Sequence, residues 1–373
     1  MAPVRTIICL IVALLGFASA TTSAAERVYF IAADEVTWDY APSYPNNPIT
    51  GELFTTDESV YLREAKGRIG RRYLKAIYRE YTDASFVTLK PQGPKEGSLG
   101  ILGPIIRAEV GDTITGVFRN NTRFPVGIHP HGVFYDKVSE GAHYMTAPEG
   151  HEHDPGATPE TGAHVKPKGQ YTYHWDVPER AGLGPAAPPS VVWLYHAHDH
   201  EGVDIYAGLV GAIIATRSGS ANPDGTPKDV DREFVTLFMI FDENMSPYLD
   251  VNIQRFAGSP KAVRKKNGEF KESNKKHTIN GLLYGNLNGL TMRRGERVRW
   301  YLIGLGNEND IHTAHWHGNT VLRRGSRTDT VELFPATTEV VDMRPDNVGT
   351  WLFHCHVTDH MAGGMMTRYR VTE

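Results

Sequence analysis

The chain has 373 residues, of which 40% are hydrophobic and 22% charged, the balance of a globular protein rather than a disordered one. Its net charge of −4 excludes the basic excess with which proteins bind nucleic acid or an anionic membrane surface. The length suits about two domains of roughly 150 residues. The 37 glycines and 23 prolines favour many short strands joined by turns.

The first 24 residues have the pattern of a secretory signal peptide. A basic start, Met1–Arg5, precedes an apolar stretch of 12 residues, Ile7–Ala18, and then small residues suited to cleavage. Twelve apolar residues are too few to span a membrane, and no later stretch of the sequence approaches that length. Segment 1–24 therefore predicts an exported protein, periplasmic or secreted. Because Cys9 is removed with the signal, Cys355 is the one cysteine of the mature sequence.

The rest of the sequence gives coarser signals of local structure. Tyr61–Tyr81 is a candidate helix, and the stretch 141–169, rich in Pro, Gly and His, predicts a long loop. Residues 218–230 lack apolar periodicity and predict a linker, after which Phe234–Phe241 predicts a strand. Lys261–Lys276 mixes seven basic residues with two glutamates and predicts a solvated surface loop.

The sequence of the first half is repeated in the second. His129-Pro130-His131-Gly132 matches His315-Trp316-His317-Gly318, and Trp193–His198 matches Trp351–His356. Two copies of one β-rich unit predict an all-β protein made of two β-sandwiches. The predicted domains are 25–217 and 231–373, joined by the linker 218–230.

Ten of the 17 histidines fall into four short clusters. Residues two apart in a strand point to the same face, so each His-x-His pair places two imidazoles on one side. Two such pairs from each half give eight imidazoles, which are too many for one metal ion and suit a cluster of several. The four clusters are His129/His131, His196/His198, His312/His315/His317 and His354/His356/His360.

The last cluster also places a thiol on the opposite face of its strand. In His354-Cys355-His356 the two imidazoles point one way and the sulfur points the other. Together with His312, His360 and Met365, Cys355 completes the ligand set of a blue-copper electron-transfer centre. The alternative is a buried cysteine that acts only as a small hydrophobic residue. The metal interpretation predicts an electron-transfer centre that the backbone joins directly to the eight-histidine cluster.

These motifs resemble those of the multicopper oxidases. The segments His129–Lys137 (HPHGVFYDK) and His354–His360 (HCHVTDH) are most similar to the ceruloplasmin branch of the cupredoxin superfamily. The two-unit layout is similar to that of two-domain, laccase-like oxidases. The resemblance runs from about residue 27 to the last residue and is poorest in 141–169. It implies two cupredoxin-like Greek-key β-sandwich domains.

The resemblance also implies four copper ions per functional unit, one of type 1, one of type 2 and two of type 3. Ala197 stands in the first domain where Cys355 stands in the second. The first domain therefore holds no type 1 copper and supplies half of the trinuclear cluster. The implied ligands are His312, Cys355, His360 and Met365 for type 1 copper, His129 and His315 for type 2 copper, and His131, His196, His198, His317, His354 and His356 for the type 3 pair.

The family's cluster lies between a first-type and a last-type domain. Three-domain laccases have a spacer that lets one chain fold back on itself, and this sequence has none. The resemblance therefore implies a head-to-tail ring, a homotrimer with a trinuclear cluster at each subunit interface.

The activity favoured first is that of a laccase, which couples one-electron oxidation of phenols or aromatic amines to four-electron reduction of O2 to water. Electrons would pass from Cys355 through His354 and His356 to the cluster. By resemblance to two-domain laccases, Tyr135 and Glu140 lie near the cluster and help to deliver electrons or protons.

A metallo-oxidase acting on Fe(II) or Cu(I) is the first alternative. Glu272, His277 and Asp359 resemble positions that bind ferrous iron beside type 1 copper in ceruloplasmin, and carboxylates with an imidazole suit Fe(II). The other interpretation of these three residues is ordinary surface polarity inherited with the fold. Few Met-rich stretches appear near the blue-copper ligands, which weakens the Cu(I) version.

Two further alternatives are less well matched. Copper nitrite reductase is also a trimeric two-domain cupredoxin, but it keeps its blue-copper cysteine in the first domain and needs three histidines at its second copper. A periplasmic copper or electron carrier needs the four blue-copper ligands only, which leaves eight histidines unexplained. The pair in His151-Glu152-His153 is at most an adventitious metal site, because it lies in a stretch without strand pattern.

Overall fold

The structure is a computed structural model that describes residues 24–91, 99–142, 162–182, 184 and 188–373. Nearly all of the predicted signal segment 1–24, the middle of the predicted loop 141–169 and the His151-Glu152-His153 motif lie outside these ranges. The chain is 42% strand and 12% helix, which confirms the all-β prediction. No helix in the described ranges is long and apolar enough to cross a membrane.

The first half forms two four-stranded sheets. Its strands are β1 (Glu26–Asp39), β2 (Arg72–Tyr81), β3 (Ile106–Glu109), β4 (Thr113–Asn120), β5 (His129–Pro130), β6 (Gln170–Asp176), β7 (Ser190–His196) and β8 (Val210–Thr216). The strand orders are β2-β1-β4-β6 in one sheet and β3-β8-β7-β5 in the other. The second of these sheets carries the first pair of histidine motifs at its β5 and β7 ends.

The second half forms a six-stranded and a five-stranded sheet. Its strands are β9 (Arg232–Asp242), β10 (Lys275–Ile279), β11 (Thr291–Arg293), β12 (Val298–Gly304), β13 (His312–Trp316), β14 (Val321–Arg323), β15 (Ser326–Thr328), β16 (Thr330–Leu333), β17 (Thr337–Met343), β18 (Gly349–Cys355) and β19 (Met366–Thr372). The orders are β10-β9-β12-β17-β14-β15 and β11-β19-β18-β13-β16.

The helices are short and lie between strands. They are α1 (Ser59–Leu62), α2 (Glu201–Ala207), α3 (Leu249–Phe256), α4 (Gly268–Ser273) and α5 (Thr358–Ala362), with single 3-10 turns at Lys137–Ser139, Glu179–Ala181 and Pro260–Ala262. Of these, α1, α4 and α5 matter most for function, because they surround one of the candidate metal centres.

The repeat in the sequence is also a repeat of strand pairing. In the first half β5 pairs with β7, β7 with β8, and β8 runs parallel to β3. In the second half β13 pairs with β18, β18 with β19, and β19 runs parallel to β11. The histidine motifs therefore occupy equivalent neighbouring strands in both halves. The domain boundaries at 217 and 231 remain a prediction, and residues 218–230 form turns and one isolated bridge.

The predicted strand Phe234–Phe241 is confirmed as the interior of β9, which is buried on both faces. Its even-numbered apolar side chains, such as Phe238, pack into the core of the second half. Its odd-numbered side chains, such as Leu237, pack into the core that the first half builds. Strand β12 alternates in the same way, with Trp300 on one side and Tyr301 on the other. This double burial explains why seven of the eight residues from Phe234 to Phe241 are apolar.

The predicted helix Tyr61–Tyr81 is wrong. Only Ser59–Leu62 is helical there, and Arg72–Tyr81 forms β2, antiparallel to β1. Gly70 has a φ of 93°, and a Cβ at that position would lie 2.7 Å from the Glu64 nitrogen, so the chain turns sharply between the two elements. The aromatic and β-branched residues of β2 gain more from packing in a sheet than a helix would provide.

The solvated loop predicted for Lys261–Lys276 is also wrong in its second half. That segment contains α4 and the start of β10, and the Lys276 side chain is fully buried. Its ammonium group donates to the backbone oxygens of Tyr61, Gly70 and Ser273 at 2.6, 2.9 and 2.6 Å. A lysine can be buried when three acceptors replace its water shell. These bonds attach the α1 segment of the first half to the second half.

A buried ion pair makes a second link between the halves. Lys75 on β2 pairs with Glu243, which follows β9, and both side chains are completely buried. The Lys75 ammonium also donates to the Tyr206 backbone oxygen at 2.8 Å, and the Tyr40 hydroxyl donates to Glu243 at 2.5 Å. Burial is the main influence on the pKa of Lys75 and lowers it, while Glu243 opposes that shift.

We expect Glu243→Leu to lower the free energy of unfolding by about 3 kcal/mol or more, because it leaves the Lys75 amine buried without its carboxylate. The double variant Lys75→Met/Glu243→Leu should recover much of that loss. Lys90→Met is the control, since it breaks the exposed Lys90–Glu80 pair and should cost less than about 1 kcal/mol. Urea unfolding followed by fluorescence measures all three, and equal losses for the exposed and the buried pair would contradict the expectation.

Candidate metal centres

Three side chains converge at one end of the second half. Cys355 Sγ lies 3.8 Å from His312 Nδ1 and 3.7 Å from His360 Nδ1, and the two Nδ1 atoms are 3.1 Å apart. All three residues are buried. Such a triangle of two imidazole nitrogens and one sulfur could hold a single metal ion.

Local structure explains why these residues meet. His312 begins β13 and Cys355 ends its neighbour β18, while His360 lies in α5, immediately after. Met365, the fourth residue predicted from the sequence, is fully buried, and its backbone oxygen accepts from the Cys355 N–H at 3.0 Å. The four predicted type 1 residues therefore lie together at this end of the sheet.

A buried carboxylate fixes the orientation of His312. Asp310 Oδ1 lies 3.1 Å from His312 Nε2 and also accepts from the Ile240 N–H at 2.6 Å. The Nε2 atom therefore carries the proton, which leaves Nδ1 as the acceptor that faces the sulfur. Asp310 is not among the site residues predicted from the sequence. Its signal is the spacing Asp310-x-His312, which places both side chains on one face of an extended segment.

Burial shifts the pKa values of two of these residues. It is the main cause that lowers the pKa of His360 to about 4 and raises the pKa of the Cys355 thiol. A neutral imidazole is the form that binds metal, and a coordinating cation deprotonates a thiol. The surroundings of these three side chains therefore favour neutral imidazoles that bind a metal cation over protonated imidazoles.

A group of four histidines lies on the other face of β13 and β18; we call it the second quartet (His315, His317, His354 and His356). The ring centroid of His315 is 4.7 Å from that of His317, 5.2 Å from that of His354 and 5.3 Å from that of His356. The Nε2 atoms of His317 and His354 are 3.0 Å apart. As the alternation predicts, Cys355 points away from this group, into the second core.

The first half holds a matching group, the first quartet (His129, His131, His196 and His198). Ring centroids of neighbouring members are 5.0 to 5.6 Å apart. The Nε2 atoms of His131 and His196 are 3.0 Å apart, the same distance as between the equivalent atoms of the second quartet. Ala197 is buried where Cys355 is buried in the repeat.

Backbone oxygens orient two imidazoles of each quartet in the same way. His129 Nδ1 lies 2.7 Å from the Glu140 oxygen, and His315 Nδ1 lies 3.0 Å from the Asp329 oxygen. His196 and His354 each direct Nδ1 at the oxygen of the next residue, at 3.1 and 2.8 Å. Since a carbonyl only accepts, these Nδ1 atoms carry the protons and the Nε2 atoms remain available to a metal.

Tyr135 and Glu140 both adjoin the first quartet. The Tyr135 ring centroid is 5.9 Å from that of His129, whose Nδ1 faces the Glu140 backbone oxygen. The Glu140 carboxylate pairs with Lys137 at 2.5 Å. Burial, followed by the charge of Glu140, raises the pKa of the Tyr135 hydroxyl, which therefore stays protonated at neutral pH.

The three residues considered for Fe(II) lie beside the thiol-containing centre. The His277 ring centroid is 5.4 Å from that of His360, and Asp359 is exposed immediately before His360 in α5. Among the described residues, neither ring nitrogen of the buried His277 has a hydrogen-bond partner. Burial is the main cause that lowers the pKa of His277 to about 3, so the ring is neutral and can accept a cation.

Tyr61, which is not among the residues predicted from the sequence, contacts both Glu272 and His277. The Tyr61 hydroxyl donates to Glu272 Oε1 at 3.0 Å, and the Tyr61 ring centroid is 5.7 Å from that of His277. Tyr61 lies 211 residues before Glu272 in the chain, and no spacing or motif indicates their contact.

Comparison with known proteins agrees with this geometry. The sequence model of the family named multicopper oxidase matches residues 257–373. The chain is 44% identical to sheep (Ovis aries) ceruloplasmin over 350 residues, which are 93% of this chain and 32% of that protein. It is 43% identical over 348 residues to a Homo sapiens protein named ferroxidase HEPHL1, with 92% of this chain and 29% of that protein covered. The chain thus spans about a third of the length of these curated relatives.

A solved crystal structure of a multicopper oxidase has the same fold. It superposes with a TM-score of 0.57 at 19% sequence identity, covering 93% of this chain and 89% of that one. This similarity confirms the predicted cupredoxin-like fold class.

We expect Cys355→Ala to abolish the intense blue absorption of a copper-loaded sample, because that colour arises from a Cu(II)–thiolate bond. Asp310→Asn should shift the band rather than remove it, since it changes the orientation of His312 and leaves the sulfur in place. His174→Ala, an exposed histidine of β6, is the control. Visible absorption and copper content measure the effect, and a blue Cys355→Ala protein would contradict the assignment.

Proposed function

The chain belongs to the multicopper oxidase family, and from this premise we propose that it is a copper-dependent oxidase that transfers electrons from a small reductant to O2. When bound, copper supplies the one-electron chemistry and the reduction of O2 to water. Two kinds of donor set support copper. The thiol and two imidazoles around Cys355 suit a blue-copper ion, and the all-imidazole quartets suit further copper ions.

The protein's own contribution is to fix these donors in advance. Cys355 follows His354 and precedes His356, so one strand end carries donors for two centres and connects them covalently. Carbonyl and carboxylate partners hold the rings of His129, His312 and His354 in one tautomer. We assign type 1 copper to His312, Cys355, His360 and Met365, and a cluster of three copper ions to the eight quartet histidines. Tyr135 and Glu140 are proposed to move protons or electrons beside that cluster.

A cluster of three ions needs both quartets, and we propose that they come from different subunits. The side chains of His317 and His356 are exposed in the chain described here. Exposed imidazoles within a group of possible metal ligands favour a partner surface that supplies the remaining donors. A head-to-tail ring satisfies every subunit in the same way, because the first quartet of one faces the second quartet of the next. We propose that three subunits close the ring.

We propose Fe(II) rather than a phenol as the reductant. The environment of His277 is the main support for this proposal. Within the described ranges, the buried imidazole of His277 has no hydrogen-bond partner, and it lies next to His360. Asp359 immediately precedes His360, and Glu272 bonds to Tyr61, whose ring packs on His277. An imidazole together with carboxylates is a suitable set of donors for Fe(II). The ligands His312 and His360 are buried, which disfavours direct contact with an aromatic substrate. The relative named a ferroxidase supports the same choice. Phenol oxidation stays a prediction.

The proposed reaction balances with O2 as the acceptor. Four Fe(II) ions each lose one electron, and one O2 takes up four electrons and four protons to give two waters. Glu272 and Asp359 would attract and bind the cation, and the His277 ring centroid lies 5.4 Å from that of His360. Export is proposed from the signal-like segment 1–24.

We expect Glu272→Gln to lower kcat/KM for Fe(II) by about tenfold or more, since an amide loses the charge that attracts the cation. Turnover of a dimethoxyphenol should be unchanged, because that substrate needs no carboxylate. Glu269→Gln, an exposed residue of the same helix, is the matched control. Rates of O2 uptake with each reductant measure the effect. Equal rates for Glu272→Gln and Glu269→Gln with iron would end the Fe(II) proposal, and nitrite turnover without O2 uptake would favour the reductase alternative.

We expect the copper-loaded protein to sediment as three chains. His317→Ala combined with His356→Ala should remove the near-ultraviolet band of a coupled copper pair while the blue absorption persists. Analytical ultracentrifugation with copper analysis of the same fractions provides the measurement. A monomer that is fully loaded and active would contradict the ring.

A further inference from the structure

The outer wall of the thiol-containing centre comes from the first half of the chain. Tyr61 belongs to α1 (Ser59–Leu62), yet its ring lies against His277 and its hydroxyl bonds to Glu272 of α4. The hydrogen bonds of the Lys276 ammonium group hold this segment in place, since one of them is donated to the Tyr61 backbone oxygen itself. The position of the wall is therefore determined by buried hydrogen bonds and not by a surface loop.

The wall closes one side of His277, and the chain closes the other. A Cβ at Gly363 would lie 2.5 Å from His277 Cδ2, so the backbone packs directly on the imidazole. His277 and His360 are only 6% and 7% exposed, and His312 is not exposed at all. A reductant therefore reaches these rings only if the wall moves, or it exchanges electrons through protein side chains that extend from the rings to the surface.

Glu272 is such a group, and both of its oxygens are held. Oε1 accepts from Tyr61 at 3.0 Å, and Oε2 pairs with Lys275 at 3.0 Å. Burial and the Glu272 charge keep the pKa of the Tyr61 hydroxyl above its usual range, so Tyr61 donates as a neutral group. A neutral donor orients the carboxylate without cancelling its charge. The Lys275 ammonium is the partner that an entering cation can displace, because that side chain is 38% exposed.

We propose that Tyr61 is a positioning and specificity residue of this oxidase. Its hydroxyl holds the Glu272 carboxylate toward His277, and its ring denies aromatic reductants access to His277 and His360. A bare divalent cation, which needs only the carboxylates and one imidazole nitrogen, is admitted. The inference rests on the proposed Fe(II) oxidation and names what makes that site selective.

Two substitutions separate the two roles. Tyr61→Phe keeps the ring and removes the hydroxyl, so KM for Fe(II) should rise by about three- to tenfold while dimethoxyphenol turnover stays low. Tyr61→Ala removes both, so KM for Fe(II) should rise and kcat/KM for the phenol should increase by about tenfold or more. Tyr81→Phe is the matched control, because it deletes a tyrosine–carboxylate bond to Asp34 in the first sheet.

A binding measurement gives a readout apart from turnover. Calorimetric titration of the oxidised, copper-loaded protein with Co(II), which the enzyme does not consume, should show weaker binding in both Tyr61 variants than in Tyr81→Phe. The blue absorption of each variant checks that the centre is intact. If Tyr61→Ala does not fold, Tyr61→Leu tests whether the ring excludes aromatic reductants, and Tyr61→Phe still tests the orientation of Glu272.

The outcomes distinguish this inference from the function on which it rests. Unchanged Co(II) binding and unchanged phenol rates in folded Tyr61 variants would overturn the role of Tyr61, whereas iron oxidation that still depends on Glu272 would keep the Fe(II) proposal. If Glu272→Gln has no effect with iron but Tyr61→Ala raises the phenol rate, the exclusion of aromatic reductants by Tyr61 is supported and the Fe(II) proposal fails.

Discussion

The two-residue period of an extended strand is the constraint on which the candidate metal centres depend. At the end of β18 it sends His354 to one face and Cys355 to the other, where the sulfur meets His312 and His360 at less than 4 Å. A shift of one residue in the pairing of β18 with β13 would reverse both faces at once. The register Ala314↔Cys355 therefore matters as much as the identity of the donors.

The first half uses the same pairing but contributes less. Its quartet repeats the Nε2 separation of 3.0 Å and the carbonyl-held Nδ1 atoms of the second quartet. Where the second half has Cys355, the first has the methyl group of Ala197, which fills the core and offers no donor. The first half also has Val126 at the position of His312 and Gly202 at the position of His360, so three missing donors separate a half that can hold one kind of centre from a half that can hold two.

Local patterns predicted most of the fold and donor sets, and long-range contacts account for what they missed. The histidine motifs were informative because the donors lie two residues apart, within one strand. The helix proposed for Tyr61–Tyr81 was wrong because sheet pairing and the turn at Gly70 outweigh a weak helical period. Lys276 looked like part of a solvated run, since nothing near it in sequence reveals the three carbonyls that hold it. Tyr61 could not be found for the same reason.

The double burial of β9 and β12 has a consequence for how the chain can be divided. Each strand gives alternate side chains to two separate interiors, so a fragment that begins near residue 231 would present the row of Leu237 and Tyr301 to water. A fragment that stops near residue 217 would lack the surface that completes its own interior. The two halves are accordingly expected to fold as one cooperative unit rather than as two separately stable fragments.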